Sequence, residues 1–303
     1  MRVFYGKFPS KRIECVATIG VFDGLHLGHR YIIDKVKDYA KKEKIPSLVI
    51  TFDVPPRLIL NKQFSGCIST LEDKIETFRS LGVSYLWVLK TRNSLLRLSG
   101  EDFLNFVFRH LAVKKIIVGS DFRFGRRGRY NAETLNKFGK KFGFKVSSIK
   151  KRKLDKEIIS SSLLRELIKK GNIKDTNKFL GRNYSFKGEV IKGVGKGKKL
   201  GFPTANISTI NRAVVPKGVY AASVKVGTKT YLAAVNIGTK PTITRSKKVI
   251  IETHIINFSK DIIGKEIEIS LLKRIRDEKK FSSLEKLKQA IAADVSHVID
   301  QRQ

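Results

Sequence analysis

Through the first 180 positions, apolar residues occur in two alternating kinds of run. Short continuous runs at 15–19, 46–52, 83–89, 115–118 and 145–149 have the length and composition of buried strands. Between them, apolar residues recur every three or four positions, as in Ile32, Ile33, Val36, Tyr39 and Ala40 after Gly28. A second helical stretch starts at Ser69 or Thr70, each followed three residues later by an acid (Glu72 or Asp73), and stops at Gly82. A third, capped by Ser99, runs to about Leu111 with Phe103, Phe106, Val107 and His110 on one side. Others cover 132–142, the segment after 158–162 that ends at Gly171, and 172–180. Strands alternating with helices predict an α/β, doubly wound parallel sheet.

Beyond Gly181 the pattern changes to short strands joined by tight turns, at 186–190, 218–226, 230–237, 249–258 and 266–272. Val226-Gly227-Thr228-Lys229 reads as a hairpin turn. Short antiparallel strands of this kind predict a small β-barrel. A C-terminal helix from Ser283, with Leu284, Leu287, Ile291 and Val295 at near-helical spacing, is expected to pack on it. The expected domains are 1–180 and 181–303, consistent with a 303-residue chain that can bury two cores.

Composition narrows the classes. Hydrophobic content is 41%, no apolar run approaches a membrane span, and the first twenty residues lack a signal-peptide core, so a cytoplasmic protein without membrane contact is expected. Two cysteines, Cys15 and Cys67, make neither a disulfide framework nor a metal-ligand spacing. A net charge of +35, from 62 Lys+Arg against 27 Asp+Glu, would attract polyanions. The basic residues are spread along the chain without a helix-turn-helix, RNP or zinc-finger pattern, so no specific nucleic-acid partner is expected. A nucleic-acid-binding protein on an old enzyme scaffold is the contrasting class, recognisable by steeply salt-dependent oligonucleotide binding without catalysis. The sequence carries no signal for oligomeric state.

The candidate chemistry begins at Gly20-Val21-Phe22-Asp23-Gly24-Leu25-His26-Leu27-Gly28-His29, between the first strand and the first helix. Gly20, Gly24 and Gly28 permit a sharp turn and close approach, and the helix start supplies free N–H groups for a phosphate. His26 and His29 share that turn and can both donate to phosphate oxygens. An ATP site is expected there, with Phe22 and Asp23 in its wall. The stretch Gly119-Ser120-Asp121-Phe122-Arg123-Phe124-Gly125-Arg126-Arg127-Gly128 follows another strand and should lie beside the first turn at the carboxyl edge of the sheet. It reads either as a solvated basic loop or as a site for a planar heterocycle carrying phosphate, with Phe122 and Phe124 for stacking. At Ile159-Ser160-Ser161-Ser162, hydroxyls start a helix with Arg165 one turn inside. They cap the helix, and Ser161, Ser162 and Arg165 could also hold a polyphosphate.

In the second half, residues 193–206 combine Gly195, Lys198 and Gly201-Phe202-Pro203 with Thr204 and Asn206. The spacing is not a Walker loop, and Pro203 forbids the helix such a loop needs. Its backbone can still cover phosphates, and Thr204 and Asn206, on alternate residues, present hard oxygens on one side of an extended chain, as suits Mg²⁺ held with ATP. Glu252 lies in an otherwise apolar strand, either as an exposed acid on an alternating face or as a general base for a hydroxyl attacking phosphorus.

The 20–29 stretch resembles the G-x-F-D-x-x-H-x-G-H signature of the HxGH nucleotidylyltransferases. Together with Asp121-Phe122-Arg123-Phe124-Gly125 and Ile159-Ser160-Ser161-Ser162 to Arg165, it resembles the FAD synthetase module of the bacterial bifunctional riboflavin kinase/FMN adenylyltransferases. Two positions depart from that pattern. Asp53-Val54-Pro55-Pro56 stands where Asp-Pro-His-Pro is usual, and Leu163 where an Arg is common. Gly201-Phe202-Pro203-Thr204-Ala205-Asn206, Pro216-Lys217-Gly218-Val219-Tyr220, Asn236-Ile237-Gly238-Thr239-Lys240-Pro241-Thr242, Glu252-Thr253-His254 and Arg276-Asp277-Glu278-Lys279-Lys280-Phe281 resemble riboflavin kinase from about Leu180 onward, with Lys198 and Ile263 as small departures. The resemblance implies riboflavin, FMN and FAD as substrates and products, and Mg²⁺ with ATP. It implies Glu252, His26 and His29 as catalytic residues, Thr204 and Asn206 as Mg–ATP ligands, and flavin contacts at Asp121, Phe124 and Arg276. The departures at Pro55 and Leu163 leave a second expectation, a riboflavin kinase with weakened or lost adenylyl transfer.

Overall fold

The computed structural model describes residues 1–7, 12–61, 64, 66–109, 111–193, 195, 197, 200–209, 214–241 and 247–300. The chain divides into two compact units, Met1–Ser161 and Ser162–Gln303.

The first unit contains β1 (Arg2–Tyr5), β2 (Ile13–Ile19), β3 (Ser47–Phe52), β4 (Tyr85–Leu89), β5 (Leu111–Gly119), the two-residue pair β6 (Arg123–Phe124) and β7 (Tyr130–Asn131), β8 (Lys145–Ile149), and a second short pair, β9 (Lys153–Leu154) and β10 (Glu157–Ile158). Its helices are α1 (Leu27–Glu43), α2 (Pro56–Leu60), α3 (Leu71–Ser80), α4 (Asn93–Arg97), α5 (Gly100–Phe108) and α6 (Ala132–Phe142). Six strands pair in the order β1-β4-β3-β2-β5-β8, all parallel. Both faces are covered because alternate strand residues point to opposite sides. Cys15, Ala17, Ile19, Trp87 and Leu89 pack with Phe103, Leu104 and Val107 of α5 and Leu135 of α6. Val16 packs with Val36 and Ala40 of α1, and Leu86 and Val88 with Phe78 of α3. The order reverses at β2, with β3 on one side and β5 on the other. That switch point is where open α/β sheets leave a ligand crevice.

Several boundaries differ from the sequence pattern. Helix α5 ends at Phe108, and Leu111 opens β5, where Leu111 and Val113 are buried in the sheet core. Leu104 replaces Phe106 on the buried face of α5, Phe106 being 42% exposed, and His110 lies outside the described residues. Thr70, not Ser69, caps α3, in a box closed by Asp73. Strand β1 and helices α2 and α4 have apolar runs too short to register as elements.

The second unit begins with α7 (Ser161–Lys170), which enters it after one residue, and α8 (Ile173–Leu180). Strands β11 (Tyr184–Ile191), β12 (Ala205–Thr209), β13 (Gly218–Val226), β14 (Lys229–Pro241), β15 (Lys247–Ile255) and β16 (Glu266–Arg276) form a closed barrel in the order β11-β12-β15-β14-β13-β16, every pairing antiparallel. The expected hairpin is present, Val226 pairing with Lys229 across Gly227-Thr228. Buried Ile207, Val235, Ile237, Ile251, Ile255, Ile269 and Leu271 make up much of the barrel core. The final helix, α9 (Leu284–Asp300), lays Val295 and Val298 on Ala221, Ala234 and Leu232. Its first apolar residue, Leu284, is instead 68% exposed. Among the described residues no helix is long and apolar enough to cross a membrane.

Candidate functional site

The turn after β2 is tightly constrained. Phe22 and Leu25 hold φ of 51° and 44°, sparsely populated for residues with side chains, and Gly24 holds 80°. A side chain at Gly24 would strike Ile68, while Gly20 lies under the Phe22 ring. The Asp23 carboxylate accepts from the Ile68 and Ser69 N–H groups at 2.9 and 3.2 Å, and Gly24 N–H donates to Ser69 Oγ at 3.0 Å. Asp23 thus fixes the turn to the segment before α3. This gives the buried Asp23 a structural task within the predicted site.

His26 is the N-cap of α1, its Nδ1 accepting from His29 N–H at 3.2 Å. An accepting Nδ1 leaves the proton on Nε2, so the ring presents a donor on its far side. The two imidazoles stack at 3.6 Å between centroids, 17° from parallel, and Gly28 leaves room for the His26 ring. Phe22 meets His29 edge-on. Burial pushes the His26 pKa down to about 4, Asp121 opposing and Lys151 adding to the effect. Burial first, then His26 and Lys74, holds His29 well below the ordinary imidazole value. Both rings are therefore neutral donors at pH 7, and His29 Nδ1 is buried without a hydrogen-bond partner.

Parallel pairing of β2 with β5 sets the loop after β5 beside the first turn, close enough for the Asp121 charge to favour protonated His26. Asp121 pairs with Lys151 at 2.8 Å. Phe122 and Phe124 stack at 5.5 Å, but Phe124 is only 6% exposed, set among Phe103, Tyr130 and Phe138. Phe122 is the more accessible ring of the pair. Ser161 also joins the turn, its Oγ donating to Asp23 O at 2.9 Å. Ser162 is exposed on the first turn of α7, where Arg165 is buried.

On the barrel, register gathers the second set. Glu252 pairs with Asn206 on β12 and with Asn236 on β14, so three polar side chains lie abreast on one face. Ile251 and Thr253 on either side are buried, which places Glu252 on the outer face. His254, on the same side, contacts Pro203 O at 2.8 Å through Nδ1 and meets Phe202 edge-on, holding 201–204 against β15. Gly193 and Gly197 lie over this face. The Asn206 amide rests where a side chain on Gly193 would be, and Thr204 Oγ1 lies 3.0 Å from the corresponding point on Gly197. Gly195 and Gly201 hold φ of 76° and 85°, and Lys198 lies outside the described residues. Arg276 forks onto the buried Asp294 of α9 at 2.9 and 2.7 Å, and its Nη1 donates to Asp277 O.

Residues 8–163 match the family model for FAD synthetase, and residues 180–301 match that for riboflavin kinase. The chain belongs to the bifunctional riboflavin kinase/FMN adenylyltransferase family. The family member of Buchnera aphidicola subsp. Schizaphis graminum is 35% identical over 98% of each chain, and that of Escherichia coli K12 is 33% identical over 92% of this chain and 90% of its own. Among solved structures, a macrolide-efflux protein from Streptococcus pneumoniae superposes with a TM-score of 0.87 at 27% identity over 98% of both chains. With both family domains in one chain, the protein is an enzyme with a nucleotidyltransferase half and a kinase half.

The sequence pattern did not single out Lys74 or Asp294, and it named Ser69 only as a possible helix cap and Asn236 only as part of a motif, without a neighbour for either. Lys74 had a signal, a lysine four residues before Phe78 on the core-facing side of α3. Asp294 had none, because its partner Arg276 is met only through helix docking, and the place of Asn236 beside Glu252 comes from cross-strand register.

Proposed function

We propose that the chain phosphorylates riboflavin to FMN with ATP in its kinase domain, 181–303, and adenylylates FMN to FAD with release of pyrophosphate in its adenylyltransferase domain, 1–180. The observation that carries this reading is the presence of both family domains in one chain.

In the adenylyl step, an FMN phosphate oxygen attacks the α-phosphorus of ATP. His26 Nε2–H and His29 donate to the reacting phosphates, and the 20–29 turn receives the nucleotide, with Ser161 as a further phosphate contact. Neutral imidazoles suit this role, since they donate hydrogen bonds without having to be charged in a buried site. Asp121 and the Phe122–Phe124 stack face the flavin, Phe124 supporting the more accessible Phe122.

In the kinase step, Glu252 accepts the proton of the ribityl hydroxyl as it attacks the γ-phosphorus. Gly195, Gly201 and Pro203 shape the phosphate cover, and Arg276, held by Asp294, is the flavin contact expected in this half. Thr204 and Asn206 fit Mg²⁺. They offer a hydroxyl and an amide oxygen beside the Glu252 carboxylate, a hard-oxygen set. Among the described residues there is no cluster of three or more His, Cys, Asp or Glu that could hold a metal ion; the ion proposed here would be shared with nucleotide phosphates. There it would neutralise charge on the transferring phosphates.

The substrates are small molecules, and the expected compartment is the cytoplasm. Incubating pure protein with riboflavin, ATP and Mg²⁺ should give FMN and then FAD on a chromatogram. FMN alone would leave only the kinase, and absence of both products would remove the proposal.

A further inference from the structure

Lys74 is a charged side chain almost withdrawn from water, 3% exposed on the core side of α3. Its ammonium donates to Phe52 O at 2.8 Å and reaches Val21 O at 3.5 Å. Phe52 is the last residue of β3, and Val21 is the second residue of the nucleotide turn after β2. One side chain therefore ties together the carboxyl ends of the two strands beside the switch point. A lysine is costly to bury, and a neutral residue of similar length would pack there without that cost. Burial pushes its pKa down, while Asp23, Cys67, Asp53 and Glu72 favour its charged form. The first two carboxylates are themselves clamps. Asp23 holds Ile68 and Ser69, and Asp53 accepts from Val54 and Thr91 N–H.

Resting on the reading of 20–29 as the adenylyl-transfer site, we propose that Lys74 is a positioning residue for FAD formation: its buried ammonium sets the nucleotide turn against the end of β3 and places a fixed positive charge behind His29. It touches no substrate and acts through the Val21 carbonyl and through the field at the imidazole. Among the titratable groups, His26 and Lys74 bear on His29, and Asp121 and Lys151 bear on His26. Without the Lys74 charge, His29 would take up a proton at higher pH. The pair would then no longer be two neutral donors in weakly acidic solution.

The test uses the full chain with Lys74→Gln, which keeps a donor for the Phe52 carbonyl and loses the charge, and Lys74→Arg, which keeps the charge. FAD formation from supplied FMN is followed from pH 4 to 8, with riboflavin phosphorylation in the same samples as the measure of intact protein. For Lys74→Gln we expect kcat/KM for adenylyl transfer to fall about tenfold or more at pH 7 and its acid limb to move to higher pH, with the kinase rate unchanged. Lys74→Arg should restore the acid limb to its wild-type position. A loss of stability alone would lower the amount of active enzyme without moving the limb. A folded Lys74→Gln protein whose pH profile overlays the wild type overturns the proposal. So does a folded Lys74→Arg protein that makes no FAD, which also decides the matter should the Gln variant fail to fold. If wild-type protein makes no FAD at any pH, the site assignment fails instead.

Discussion

His26 shows how one backbone contact fixes chemistry. Because its Nδ1 takes the His29 N–H, its only N–H lies on Nε2, and the stacked pair has room for neutral rings but not for two charges. His29→Ala removes one preorganised donor and should slow FAD formation by about two orders of magnitude while riboflavin phosphorylation survives. An unchanged rate of FAD formation would remove the turn from the mechanism. Glu252 has the corresponding position in the barrel, abreast of Asn206 and Asn236. Glu252→Gln keeps shape and hydrogen-bonding reach but not basicity, so phosphorylation should drop by roughly two to four orders of magnitude, with supplied FMN still adenylylated. Full kinase activity in that variant would exclude Glu252 as the base. At Leu163 the measurement is a KM. If an arginine belongs there, Leu163→Arg should lower the KM for ATP in FAD formation, and an equal or higher KM would show that the position has no such role.

At the scale of elements, much was legible because local rules and the final packing agree. Residues 132–142 and 145–149 have the same bounds in the structure as in the pattern, since Asn131 caps α6 and Gly143 ends it in a left-handed conformation. The segment before α3 was ambiguous because two hydroxyl residues stand side by side. The structure divides their work, Thr70 capping the helix and Ser69 holding Gly24. Thr70→Ala should therefore cost about 1 kcal/mol in urea unfolding of the N-terminal unit, and a midpoint equal to wild type would mean the capping box contributes nothing. What stayed hidden depends on contacts distant in sequence. The neighbours of Glu252 follow from barrel closure, the fork on Arg276 comes from a helix 18 residues away, and the burial of Phe124 follows from aromatic rings on α5, β7 and α6. Periodicity marks which residues face inward, but not which inward faces meet.

At the scale of the whole molecule, the charge of +35 sets a background against which each further proton is added. Self-repulsion opposes compactness and is screened by salt, so the chain should be more stable at 150 mM than at 10 mM salt. On that background the turn that carries His26 and His29 has a pH dependence of definite sign. His26 titrates near 6.5 when exposed in the unfolded chain but near 4 in the fold, because burial disfavours the imidazolium. Between those values the unfolded chain binds more protons than the folded one, so stability rises with pH there. The stabilisation is fully present above about 6.5 and is lost as pH falls through about 4, a gap worth about 3 kcal/mol for His26 alone. His29 shifts in the same direction and adds to the loss. Carboxylates also titrate near the lower end of that window, so the discriminating comparison is with His26→Asn. Asn retains an N-cap acceptor for the His29 N–H and removes the titrating ring. Thermal unfolding of the N-terminal unit at pH 7 and pH 4.5, at fixed salt, should show a smaller drop in Tm for the variant than for wild type. Equal drops would mean that His26 is not held neutral by the fold, and with that the account of two neutral donors at the phosphate turn would fail.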